Sequence, residues 1–291
     1  MSGPSKPIGA FRVAGAGRHT PARTARFTFD GKTYTAMEGD TVASALLAHG
    51  VHLLGRSFKY HRPRGVLTAG PEEPNALLDV SRDAGRRQPN VRATVQEVFD
   101  GAKIASQNRW PSLSFDVSAV NDAVSPFFAA GFYYKTFMWP KAAWHKLYEP
   151  MIRKAAGLGV APEEEDPDHY ANRYAHCDVL IAGAGVAGLT AALSAAATGA
   201  SVILVDEQPE VGGALHFDTS SVIEGQNGFD WAQGVAAKLK AMPNVTVLTR
   251  TTVFGYYNHG FLGLAERVTD HVAKPSKAQP RERLWQVRAN V

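Results

Sequence analysis

The chain has 291 residues, 45% apolar and 20% charged, with a formal charge of +4, which leaves room for about two domains and excludes wholesale disorder. Its single cysteine, Cys177, excludes an intramolecular disulfide framework, a cysteine-based zinc site and a cysteine-ligated iron–sulfur cluster. No apolar run approaches the ~20 residues of a membrane span, and residues 1–20 lack the apolar centre of a secretory signal. The expectation is a cytoplasmic protein with neither membrane nor nucleic acid as partner.

In chain order, residues 1–22 read as a flexible arm rich in glycine and proline, with too little apolar content to offset the entropy of ordering. Residues 23–110 read as a small α+β domain. Phe27 and Phe29 alternate with polar residues, and Asp30-Gly31 is a type I′ turn pair, so residues 25–36 are expected to form a β-hairpin. A helix follows over 41–49, with Asp40 or Thr41 able to cap its start and Gly50 its end. Val42, Ala45, Leu46 and His49 share its apolar stripe. Residues 91–95 are expected to be a strand after a Pro89-Asn90 turn. The basic excess sits in this half. Residues 1–111 carry 16 Lys/Arg against 9 Asp/Glu, and the acid-free stretch from Thr41 to Pro71 holds Arg56, Lys59, Arg62 and Arg64. Such a patch can face nucleic acid, a cofactor phosphate or an acidic partner subunit, nucleic acid ranking last.

Residues 111–174 read as an aromatic-rich connector, with Phe127, Phe128, Phe132, Tyr133, Tyr134, Phe137, Trp139, Trp144 and Tyr148 packed between domains or against a subunit. Residues 175–291 read as a dinucleotide-binding domain. An apolar strand is expected over 177–182, then Gly183-Ala184-Gly185-Val186-Ala187-Gly188, an alanine-rich helix to Thr198, and a second apolar strand over 202–205 that ends at Asp206-Glu207. This is the strand–turn–helix–strand context in which a G-x-G-x-x-G pattern carries weight. Gly183 lets the chain turn sharply, Gly185 lets a pyrophosphate approach the backbone, and Gly188 lets helix and strand pack closely. The helix start offers free N–H groups to phosphate. Asp206 lies at the spacing of a ribose-binding carboxylate and would repel a 2′-phosphate, which favours NAD or FAD over NADP; Glu207 competes for that role. Gly212-Gly213 marks a second close backbone approach. A helix over 231–241 and strands over 245–249, 251–257 and 284–291 complete the reading. His49, His52 and His61 are read as packing or surface residues. No metal site is expected, and no P-loop, H-E-x-x-H or G-x-S-x-G pattern is present.

The segments Phe27–Lys32, Glu38–Ala48, Gly55–Gly65, Glu73–Leu77 and Gly183–Gly188 together resemble the α subunits of bacterial heterotetrameric sarcosine oxidases, from about residue 23 onward. The resemblance implies a ferredoxin-like β-grasp domain without an iron–sulfur cluster, followed by a Rossmann-like FAD/NAD(P)-binding domain that is truncated at Val291. It implies a complex with β, γ and δ subunits that oxidises sarcosine to glycine. The products would be formaldehyde or methylene-tetrahydrofolate, with hydrogen peroxide. Amine oxidation would take place at FAD in the β subunit, with FMN at the α/β interface and tetrahydrofolate in a further C-terminal domain. The NAD of the α subunit would be held without turning over. Transferred to this sequence, its site would be Gly183, Ala184, Gly185, Val186, Ala187, Gly188, Asp206, Glu207, Gln208, Gly213, Ala214 and the Val253 backbone. Two other readings compete: a subunit of another flavin-dependent amine or opine dehydrogenase with FAD in the same motif, and an inactive truncated interaction module.

Overall fold

The computed structural model describes residues 8–13, 23–83, 85–127, 131 and 137–291. It divides into two compact units, residues 1–167 with 271–273, and residues 168–270 with 274–291.

The first unit is built on the expected hairpin. β1 (Thr24–Phe29) and β2 (Lys32–Met37) pair antiparallel around Asp30 and Gly31, both at positive φ as a type I′ turn requires. Period-two alternation puts Ala25, Phe27 and Phe29 inside. Helix α1 (Val42–Ala48) packs Val42, Ala45 and Leu46 into the same core. Thr41 caps it, accepting the Ser44 N–H, and Gly50 follows its end at φ +75°. Asp40 instead accepts from the Met37 N–H, the Ser44 hydroxyl and Arg12 Nη2 at 2.6 Å. The part of the expected arm that is described, residues 8–13, is therefore docked: the Phe11 N–H also donates to Ala48 O.

Two two-residue strands, β3 (Gly55–Arg56) and β4 (Pro63–Arg64), then pair antiparallel. β5 (Leu77–Ser81), β6 (Arg87–Arg92) and β7 (Ala102–Ser106) complete a five-stranded sheet in the order β2-β1-β7-β5-β6, with β1 and β7 parallel. The strand expected over 91–95 in fact lies earlier. Pro89 and Asn90 sit inside β6 at a register shift against β5, and Asn90 takes φ +60°, so the turn-like pair is a bulge.

In the connector, short helical turns include α2 (Val120–Ala123) and α3 (Glu149–Ala155). Phe137 packs against Tyr148, while Trp139 is exposed. Phe128, Phe132, Tyr133 and Tyr134 lie outside the described residues, as does most of the arm.

The second unit begins before the expected boundary of 175. β8 (Tyr170–Cys177) pairs in parallel with the last strand. The apolar run over 177–182 is thereby broken: Cys177 ends β8, and β9 (Val179–Ala182) opens a different sheet. Asp178 marks the break; its carboxylate accepts from the Ser201 N–H and hydroxyl and from Asn290 Nδ2. Helix α4 (Val186–Ala197), β10 (Val202–Val205), a small hairpin of β11 (Val222–Ile223) and β12 (Gln226–Asn227), helix α5 (Gly228–Ala241) and β13 (Val245–Leu248) follow. β13, β10 and β9 form a parallel sheet in that order. β14 (Thr251–Tyr257), β15 (Phe261–Arg267), β16 (Glu282–Ala289) and β8 form a second sheet. β10 is buried on both faces. Val202 and Leu204 join the helices' core, while Ile203 and Val205 join Leu262, Leu264 and Val287 of the second sheet. Two-sided burial explains the unbroken apolar run of β10.

Candidate dinucleotide site

The glycine turn lies between β9 and α4. Gly183 takes φ +101°, a conformation strained for any residue with a side chain, and its N–H donates to Val205 O at 2.7 Å. Gly188 packs so tightly that a Cβ would lie 1.8 Å from Gly183 O. Gly185 caps α4 with no side chain to satisfy the helix's first N–H groups, and no acidic residue occupies the first turn. Those free N–H groups and the positive end of the helix dipole are what an anion needs. Val186 and Ala187 are exposed, while Ala184 is buried.

A second glycine pair faces this turn. The Gly212 N–H donates to Ala184 O at 2.9 Å, and a Cβ on Gly213 would come within 3.0 Å of Gly185 Cα. Gly212 and Gly213 both take positive φ, at +133° and +54°. Glycine on both sides leaves bare backbone where the two turns meet, and Ala214 follows on an exposed turn.

Asp206 is engaged more closely than its sequence position implies. Its Oδ2 accepts the Ala184 N–H at 2.6 Å and its Oδ1 accepts the Gln208 N–H at 2.8 Å. The carboxylate therefore braces the glycine turn. Glu207 accepts from the Thr252 hydroxyl, and its carbonyl accepts from Arg267 Nη2 at 2.7 Å. Gln208 uses its carbonyl to accept the Arg250 N–H. Val253 is half-buried in β14 and packs on the core shared by the two sheets. The structure thus brings together Gly183, Ala184, Gly185, Gly188, Asp206 and Gly213. Thr252 and Arg267, which the sequence does not single out, hold Glu207 in place, and Arg267 lies on β15 in a stretch of mixed composition.

The basic segment of the first unit is ordered by its own chain. Arg56 donates through Nε and Nη2 to Leu113 O and through Nη1 to His61 O. His61 is buried, with Nδ1 2.6 Å from an Asp116 carboxylate that also accepts the Trp110 and Ser118 N–H groups. Arg62 pairs with Asp122. His49 Nε2 meets Thr35 O, in line with its packing role, and His52 is exposed. The loop over 67–76 closes on Glu73, which is almost fully buried and accepts N–H groups of Leu67, Thr68, Asn75 and Ala76. Burial alone would raise the pKa of this carboxyl. The four donors outweigh burial and hold it below the ordinary carboxylate range.

No group of three or more His, Cys, Asp or Glu side chains able to hold a metal occurs among the described residues, and no helix among them is long and apolar enough to cross a membrane.

Residues 22–109 match the 2Fe-2S iron-sulfur cluster binding domain family, and residues 178–270 match the FAD dependent oxidoreductase family. The matched first segment contains no cysteine, so its residues do not fit a thiolate-held cluster. Among solved structures, L-proline dehydrogenase from P. horikoshii shares the fold at a TM-score of 0.54 and 17% identity, over 92% of this chain and 40% of that one. The chain thus joins a ferredoxin-like domain to a domain of the FAD dependent oxidoreductase type.

Within that class the chain is homologous to the α subunits of sarcosine oxidase. It is 58% identical to that of Rhizobium meliloti (strain 1021) over 90% of this chain, and 35% identical to that of Corynebacterium sp. (strain U-96) over 99%. It spans about a quarter of the length of these relatives, 26% and 25%.

Proposed function

We propose that this chain supplies the dinucleotide-binding part of the α subunit of a sarcosine oxidase. The observation that carries this is the uncapped start of α4 between two runs of bare glycine backbone, braced from behind by Asp206. The residues fit a pyrophosphate. NAD is preferred over NADP, because the acid at the end of β10 disfavours a 2′-phosphate. A nicotinamide dinucleotide supplies hydride-carrying capacity when bound. The chain's own residues only hold it. The N–H groups of Val186, Ala187 and Gly188 face the phosphates, Gly185 and Gly213 leave room for them, and Asp206 or Glu207 takes the ribose hydroxyls. Gln208, Ala214 and the Val253 backbone flank the adenosine. No residue of this chain is assigned to the amine oxidation. That step belongs to a β subunit carrying FAD, with FMN between α and β; γ and δ subunits and a folate-binding region complete the assembly in the cytoplasm. The complex would demethylate sarcosine to glycine, yielding formaldehyde or methylene-tetrahydrofolate, and hydrogen peroxide.

A second reading, FAD in the same glycine turn, is favoured by the description of the family matched over residues 178–270. Calorimetric titration of the chain with NAD, NADP and FAD separates the two. Saturable NAD binding, weaker for NADP and with no flavin absorbance retained on purification, is expected. FAD retained through purification selects the second reading, and failure to bind any dinucleotide overturns both.

A further inference from the structure

The first unit holds a cavity of about 150 Å³. Its walls come from β3 and the residues after it (Gly55 to Phe58), from Arg64 on β4, from Asn75, and from Gln107 and Asn108 beyond β7. The segment 156–158 closes one side.

The lining has one electrostatic sign. It contains two arginines and no acid. Arg56 gives its N–H groups to backbone carbonyls, so no carboxylate among the described residues neutralises its charge. Arg64 is exposed and likewise meets no carboxylate there. The neighbouring acids are committed elsewhere, Glu73 to four backbone N–H groups and Asp116 to His61. Gln107 Nε2 is buried with no hydrogen-bond partner. A buried donor left unpaired is destabilising, so its persistence beside a cationic cavity needs a reason. The packing over this wall is close. A Cβ at Gly157 would lie 2.4 Å from the Asn108 amide carbon, and one at Gly159 would lie 2.5 Å from Gln107 Nε2. Glycine at both positions lets the segment lie over the two amides.

We propose that this cavity binds a small oxyanion: phosphate, or the phosphoryl end of a larger molecule. Arg64 forms the charged mouth, Arg56 a fixed positive charge in the wall, and Gln107 and Asn108 contribute amides to the lining. A guanidinium with an amide donor suits tetrahedral oxyanion geometry.

The test is ³¹P NMR line broadening and thermal stabilisation of the whole chain by inorganic phosphate, against chloride at matched ionic strength. Saturable binding is expected. It should fall about tenfold or more in Arg64→Glu, fall in Gln107→Leu, and be unchanged in Lys32→Glu, an exposed site on β2 that controls for net charge. Circular dichroism in chloride confirms that each variant is folded. Glycerol phosphate distinguishes the source. Weaker binding than inorganic phosphate identifies the free ion, and equal or tighter binding identifies a phosphorylated ligand. Absence of binding, or equal losses in Lys32→Glu and Arg64→Glu, overturns the proposal.

Discussion

The backbone N–H of Ala184 donates to Asp206 Oδ2 at 2.6 Å, so a carboxylate at the end of one strand holds the turn that leaves its neighbour. Ala184 is fully buried, and its N–H has no water to fall back on. Asp206→Ala should therefore cost about 1–3 kcal/mol of stability through an orphaned donor, before any ligand is added. Asp206→Asn keeps an acceptor and should recover part of that loss. Urea denaturation of the three proteins without dinucleotide reads the difference, and equal midpoints would show that the brace contributes nothing.

Gly185 and Gly188 should fail differently when given a side chain. A Cβ at Gly185 has its nearest neighbour, Gly213 Cα, at 4.0 Å, so Gly185→Ala should fold. Gly185→Val should also fold but block the pyrophosphate and abolish NAD binding. At Gly188 a Cβ would overlap Gly183 O, so Gly188→Ala should cost about 1–3 kcal/mol or more. Thermal melts paired with calorimetry separate a lost site from a lost fold.

Glu73 should make the first unit acid-sensitive. Its folded pKa is depressed by four backbone donors, so the stability it contributes is fully present above the ordinary carboxylate pKa. That stability is lost as pH falls through the lower folded value. Glu73→Gln turns an amide N–H₂ toward backbone N–H groups and should cost about 1.5–3 kcal/mol near neutral pH. The gap between parent and variant should narrow in acid. A pH series of melting temperatures checks this, and a constant gap would count against it.

Cys177 should be inert in the native state. Burial pushes its thiol up to about 11, so almost no thiolate exists at neutral pH. Iodoacetamide labelling followed by mass spectrometry should be slow in buffer and rapid in denaturant. Equal rates would mean that the end of β8 opens freely.

What the sequence determined by itself is local. Asp30-Gly31 fixed a hairpin because two adjacent residues had to take positive φ, and the glycine turn with its flanking apolar strands announced a helix start without a side-chain cap. The lack of cysteine in the first domain excluded a thiolate-held cluster before any fold was known. Tertiary structure decided the rest. The run from Cys177 to Ala182 is continuous in hydropathy, yet it serves two sheets, because Asp178 bonds Ser201 and Asn290 at the crossing. β5, β7 and β15 were not legible, since each is short or mixed in composition, and β7 pairs with β1 at the other end of its sheet's sequence. Pairings such as Arg56 with Leu113 and His61 with Asp116 join residues more than fifty positions apart. Local periodicity reports which face of an element is apolar. It does not report which distant carbonyl or carboxylate folding will bring to a buried charge, and that choice turned a basic stretch into an ordered wall of a cavity.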